Sequence, residues 1–311
     1  MAGKPVFRAA PTRVRVPATS ANLGPGYDCF ALALSLYDDV VGQVSDDPGI
    51  RVDVHGEGAD TLPRTARHLV VKAMLAAFDR LGGRPRGLDV VCANRIPQGR
   101  GLGSSAAAIV AGGVLARALV IGGEERLPDD ELLDLAAGLE GHPDNVAAAL
   151  AGGMTIAWTD RVAAAGSVRL SVLAPVVPVV CVPSGKVATR KARGLLPDQV
   201  PHPDAAANLA RAALLVAALA VGPGRPDLLL TATEDRLHQD YRRPAYPRSA
   251  DLVAKLRATG IAATISGAGP SVLALTTGGA HSRVAALAGA RFATTVLSVD
   301  TAGATRLPLT D

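Results

Sequence analysis

The stretch that most constrains this chain is residues 99–113, GRGLGSSAAAIVAGG, in which three alternating glycines precede two serines and an alanine-rich apolar run. Gly99, Gly101 and Gly103 can adopt backbone angles closed to other residues and let the chain approach a ligand or a second backbone closely. The apolar run reads as a buried helix over Ser104–Leu119, so its free first-turn N–H groups and positive dipole end face the glycines. That arrangement binds anions. A serine hydroxyl at the same place adds a donor or a magnesium ligand. The same letters also fit a tight turn into a close-packed helix with Ser104 as N-cap. On the fragment alone both readings stand. Two rival loops fail on spacing: no G-x-x-x-x-G-K-[ST] occurs, and the alternating glycines do not make G-x-G-x-x-G.

The remaining sequence supplies enough apolar residues to bury such a helix. Of 311 residues, 49% are hydrophobic but only 3% aromatic, so the interior is built from Ala, Val and Leu. A net charge of +4 is mild, the basic residues are dispersed, and so few aromatics leave few stacking platforms for nucleic acid. Cys29, Cys92 and Cys181 are far apart and odd in number, which predicts neither a disulfide framework nor a zinc knuckle. The N-terminus lacks the apolar core of a secretory signal. The longest apolar runs, one of them Ala212–Val221, fall short of the ~18–20 residues that span a bilayer. A cytoplasmic protein with no membrane partner is expected.

Strands are predicted at Arg13–Val16, Phe30–Val41, Ile50–His55 and Leu88–Ala93, with a turn-rich segment before Phe30 and helices at His68–Leu81 and Asp129–Leu139. After Gly152-Gly153 come strands at Met154–Trp158, Val168–Leu173 and Pro178–Val182, then helices at Asp204–Val221, Thr231–His238 and Ser249–Thr259. Ala262–Ser266 and Ser271–Leu275 read as strands meeting at SGAGPS, and Thr294–Val299 as a last strand. Elements mix without βαβ alternation, which predicts an α+β chain of two domains, 1–153 and 154–311.

Three segments, VPATSANLGPGYD at 16–28, PQGRGLGSSAA at 97–107 and SGAGPS at 266–271, resemble the three motifs of the GHMP small-molecule kinases. EGHPDNVAAALAGG at 140–153 and ATRKARGLLP at 188–197 are similar to the branch of that family that acts on homoserine. The resemblance runs over nearly the whole chain. It implies a ribosomal-protein-like, ATP-binding N-terminal domain and a ferredoxin-like α/β sandwich at the C-terminus. It also implies transfer of phosphate from ATP, with Mg²⁺, to the side-chain hydroxyl of L-homoserine on the way to threonine.

The resemblance further implies residue roles. Pro97, Gln98, Gly99, Arg100, Gly101, Leu102, Gly103, Ser104, Ser105, Ala106 and Ala107 would bind the ATP phosphates, and Gly267, Gly269 and Ser271 would form a second turn beside them. Ser105 would face the metal with a carboxylate that best matches Glu140, although an ungapped count points to Asp134. Asn22 and Asp28 suit the substrate ammonium, and Arg193 and Arg242 its carboxylate, with Arg243 an alternative to Arg242. Thr189, His142 and Asn145 complete the pocket. Asn145 occupies the place where several relatives carry an aspartate base, and Asp28 is a second catalytic candidate. His68-Leu69-Val70, where the family often reads Asn-Leu-Val, is expected near the adenine. A mevalonate-type or sugar kinase and a non-catalytic nucleotide- or nucleic-acid-binding relative are the alternatives. Apolar surface on the C-terminal half leaves room for a homodimer.

Overall fold

A computed structural model describes residues 4–160 and 164–309. The first half runs β1 (Thr12–Asn22), β2 (Gly26–Ser45), β3 (Gly49–Gly56), α1 (Leu69–Arg80), β4 (Gly87–Asn94), α2 (Ser104–Leu119), α3 (Gly123–Arg126), α4 (Asp129–Glu140) and α5 (Asp144–Ala151). It continues with β5 (Met154–Thr159), β6 (Ala165–Leu170), β7 (Val177–Pro183), α6 (Thr189–Arg193), α7 (His202–Ala220), α8 (Leu229–Ala232), α9 (Gln239–Arg242) and α10 (Pro247–Ala258). The chain closes with β8 (Ala262–Ile265), β9 (Val272–Thr276), α11 (His281–Ala288), β10 (Phe292–Val296) and β11 (Thr305–Leu307).

Two sheets organise these elements. A seven-stranded sheet has the order β11-β1-β2-β4-β3, with β5 on β2 and β6 on β5. A four-stranded sheet has the order β10-β7-β9-β8. The 20-residue β2 is the spine of the first: Asp39–Ser45 pair with β4, and Phe30–Leu32 pair with β5. α1 and α2 pack on each other through alanine and glycine. A Cβ on Gly112 would lie 2.3 Å from the Val70 carbonyl oxygen, so only glycine allows the backbones to approach this closely. The large core gathers Val14, Leu32, Met74, Phe78, Ile109 and Leu115, all essentially buried, and continues to Leu215 and Leu219 of α7. A smaller core, with Leu256, Ile265 and Val284, lies between the second sheet and α10 and α11.

The α+β mixture follows the expectation, with four local departures. The turn before Phe30 shrinks to Leu23–Pro25, because small residues let β1 and β2 bury both faces and extend toward each other. The helix predicted at Thr231–His238 is interrupted. The Asp235 carboxylate accepts from the N–H groups of Leu237, His238 and Gln239, offering the backbone an alternative to the helical ladder. Sheet membership crosses residue 153, since β5, β6 and β11 all belong to the first sheet. Finally, α7 at 19 residues is long and apolar enough to cross a membrane by length and composition, which counting unbroken apolar runs overlooked. Its polar residues are engaged within the fold: Asn208 donates to the Pro25 carbonyl at 2.7 Å and Arg211 pairs with Glu234 at 2.8 Å.

Candidate active site

The glycine loop is wedged between β1 and the turn joining β8 to β9. Gly99, Gly101 and Gly103 all have positive φ, at 65°, 76° and 69°. A Cβ on Gly101 would lie 2.2 Å from the Ser266 carbonyl oxygen, and one on Gly103 would lie 2.0 Å from Thr19 Oγ1. Hydrogen bonds complete the contact: the Ser266 hydroxyl donates to Gly101 O at 2.6 Å, Ser271 N–H to Arg100 O, and Gly267 N–H to Ala21 O. The three segments singled out in the sequence thus interlock through backbone. Gly103, in a left-handed conformation, is the N-cap of α2, and no side chain caps the helix. The Ser104 N-cap alternative is therefore corrected. Ser104 is already the first helical residue, and the first-turn amides of a 16-residue helix keep no side-chain acceptor.

These amides open on a cavity with about 580 Å³ of empty space, lined by Gly99, Gly101, Gly103, Ser104, Ser105 and Gly267 on one side. Beside them the Ser105 hydroxyl donates to Glu140 Oε1 at 2.6 Å. Burial raises the Glu140 carboxyl pKa, against the opposing Ser105 hydrogen bond. A partly buried carboxylate next to a hydroxyl is an oxygen-only donor set, the kind that suits a hard divalent cation completed by phosphate oxygens. Among the described residues no group of three or more His, Cys, Asp and Glu is placed to hold a metal by itself. Asp134 lies elsewhere, accepting from Ala165 N–H on β6, so of the two carboxylates considered only Glu140 lines the cavity. His142 Nδ1 lies 2.7 Å from Asp144 Oδ1. Burial works against the imidazolium, but the Asp144 hydrogen bond and the Asp144 and Glu140 charges outweigh it and raise the pKa.

The opposite wall carries a different set of charged and polar groups. Asn22, Leu23 and Asp28 all adopt positive φ, at 70°, 47° and 54°, a strained turn for side-chain-bearing residues. It is held from outside by Asn208 on Pro25 O and by buried His238, whose Nε2 lies 2.8 Å from Gly24 O. Asn22 spends its amide on the protein, donating to Gly267 O at 2.9 Å and accepting from Asp28 N–H at 3.0 Å. Asp28 receives both Nη groups of Arg193 at 2.7 Å, so these two residues answer each other's charge. Arg242 is different. Its residue is only 1% exposed, its Nε has no hydrogen-bond partner, and its Nη2 reaches only the neutral Tyr27 hydroxyl, at 3.2 Å. Arg243 is exposed and paired with Asp251, which settles the choice between the two arginines for the cavity wall. Asn145 accepts from Thr19 Oγ1 at 2.7 Å, tying α5 to β1 between the two walls.

Asn22, Asp28, His142, Asn145, Thr189, Arg193 and Arg242 all line this cavity with the glycine loop and Glu140. Other expected residues do not. Gln98 and Ala107 line a second, more apolar cavity that shares Ser104 and Ser105 with the first and includes His68, Leu69 and Val70. Pro97, Arg100 and Leu102 line a separate groove, Ala106 is buried, and Gly269 packs against Tyr246. Sequence reasoning missed Thr19, Asn208 and His238, which position the site. Asn208, a lone amide inside the apolar α7, was the available signal.

Comparison with known proteins fits this arrangement. The family model for the GHMP kinases N terminal domain matches residues 68–153, and that for the GHMP kinases C terminal matches residues 215–292. The homoserine kinase of Streptomyces coelicolor is 60% identical over 99% of this chain and 98% of its own. That of Streptomyces avermitilis is 60% identical over 99% of each. The crystal structure of homoserine kinase from Cytophaga hutchinsonii superposes with a TM-score of 0.82 at 27% identity, covering 97% of this chain and 99% of that one.

Proposed function

The chain belongs to the GHMP kinases, and on that premise we propose that it transfers the terminal phosphoryl group of ATP to the side-chain hydroxyl of L-homoserine, giving O-phospho-L-homoserine for threonine biosynthesis. The observation that carries the choice of acceptor is Arg242: a buried guanidinium with no carboxylate partner among the described residues, on the same cavity as an uncapped helix N-terminus. Burying such a charge unpaired is costly, and a ligand carboxylate relieves the cost. The Asp28–Arg193 pair supplies the matching poles for an amino-acid zwitterion, the ammonium going to Asp28 and the carboxylate to the two guanidiniums.

Phosphoryl transfer needs positioning and charge neutralisation more than covalent help. The glycine loop and first-turn amides of α2 take the phosphates, and the apolar cavity beside Ser104 and Ser105 takes the nucleobase near His68, Leu69 and Val70. Ser105 and Glu140 would hold Mg²⁺, which when bound neutralises phosphate charge. His142, steadied by Asp144, and Asn145, steadied by Thr19, face the acceptor hydroxyl. Asp28 is engaged by Arg193, so its role here is binding. Asn145 orients the hydroxyl by hydrogen bonding. The three free thiols suit the cytoplasm, where ATP is available. A substrate panel with ADP release as readout tests the proposal: turnover should require homoserine, and turnover with mevalonate or a sugar in its place would overturn it.

A further inference from the structure

Tyr27 lies behind the cavity wall, outside the residues that line it, and touches both guanidiniums that face the cavity. Its hydroxyl accepts from Arg193 Nη1 at 2.9 Å and from Arg242 Nη2 at 3.2 Å. A phenol oxygen has two lone pairs, so one atom satisfies both donors. The Tyr27 ring also lies under both cations, 5.7 Å from the Arg193 guanidinium carbon and 4.9 Å from that of Arg242. The ring also packs at a 33° tilt, 5.3 Å between centroids, against His238, which is buried and held to Gly24 O. Arg193 sits at the end of the five-residue α6 and Arg242 at the end of the four-residue α9. Arg193 is held as well by both oxygens of Asp28, whereas Arg242 Nη2 has the Tyr27 oxygen as its acceptor. The common reference between them is the Tyr27 oxygen.

We propose that Tyr27 is a positioning residue: it sets the plane of the Arg242 guanidinium and its separation from the Asp28-held Arg193, and through them the preference for an acceptor that carries a carboxylate. The inference rests on the reading of the cavity as an amino-acid site. Carboxylate recognition by guanidinium forks is planar and directional, so loss of a shared anchor weakens it without touching the phosphate end of the cavity.

The test compares homoserine with aminopropanol, the same acceptor chain without the carboxylate, in wild type, Tyr27→Phe, Tyr27→Leu and Arg242→Ala. Tyr27→Phe keeps the ring and its contact with His238 and removes only the oxygen. The homoserine KM should rise roughly tenfold, as for loss of a charge-assisted hydrogen bond, with kcat and the ATP KM nearly unchanged. The ratio of kcat/KM for homoserine to that for aminopropanol should fall by a similar factor, and further in Tyr27→Leu. An unfolding midpoint near wild type shows that the Phe variant is folded. A purely structural role would depress both acceptors equally. Hence an unchanged ratio in Tyr27→Phe, with a reduced one in Arg242→Ala, overturns the positioning role alone. An unchanged ratio in Arg242→Ala overturns the carboxylate reading, and the Tyr27 proposal with it.

Discussion

At the scale of single residues, the site is a set of charges whose partners are partly absent from the protein. Glu140 is partly buried beside a hydroxyl, and Arg242 is buried against a ring. Glu140→Gln keeps the shape and the Ser105 contact but removes the charge. It should lower kcat by on the order of 10²-fold and raise the Mg²⁺ concentration needed for half-maximal rate, measured by ADP release across a magnesium titration. A second carboxylate, Asp38, is a cost that the fold carries. Burial pushes its pKa up to about 6, although the Ile96 and Arg95 N–H groups oppose the shift. A carboxyl raised in the folded state favours folding below its unfolded pKa, and that contribution is lost as pH rises through the folded value. Asp38→Asn should therefore flatten the pH dependence of stability between about pH 4 and 6 and gain up to ~3 kcal/mol at neutral pH, measured by denaturant unfolding without ligand. Residue roles were only partly legible in sequence. Motif letters single out Ser105 and Arg193, whereas Glu140 against Asp134 and Arg242 against Arg243 turn on which way a helix faces.

At the scale of elements, the glycine loop works because it has no side chains where β1 and the β8–β9 turn press on it. Gly101→Ala would put a methyl 2.2 Å from the Ser266 carbonyl, at a φ of +76°. The variant should lose roughly 1–3 kcal/mol of stability and raise the ATP KM more than the homoserine KM, measured by thermal unfolding and initial rates. Helices with strong periodicity, such as α1, α2 and α4, were readable from the sequence because their burial follows a local pattern. The turn before Phe30 was also readable, but its conformation was not, since its three positive-φ residues are held by distant contacts from Asn208 and His238. The interrupted helix near Asp235 has the same cause at shorter range: one carboxylate takes three amides that a helix would have used.

On the scale of the whole molecule, the chain's end returns to its beginning. Thr305–Leu307 pair with Arg13–Arg15 at the edge of the first sheet, and the Tyr37 hydroxyl meets Asp300 at 2.9 Å. No local pattern in the sequence announces that return, because a three-residue strand is specified by its partner rather than by its own letters. Deleting residues 304–311 should lower the unfolding midpoint of the first sheet and its cofactor site, not just fray the C-terminus, as followed by hydrogen exchange on β1. In the proposed reaction the two cavity walls hold a triphosphate and an amino-acid zwitterion end to end. A crystal structure with a non-hydrolysable ATP analogue, Mg²⁺ and L-homoserine tests that placement. Phosphates are expected on Gly99–Ser105, the carboxylate on Arg242, and the acceptor oxygen about 3–3.5 Å from the terminal phosphorus. A triphosphate bound away from the glycine loop, or a homoserine carboxylate that does not touch Arg242, would contradict it.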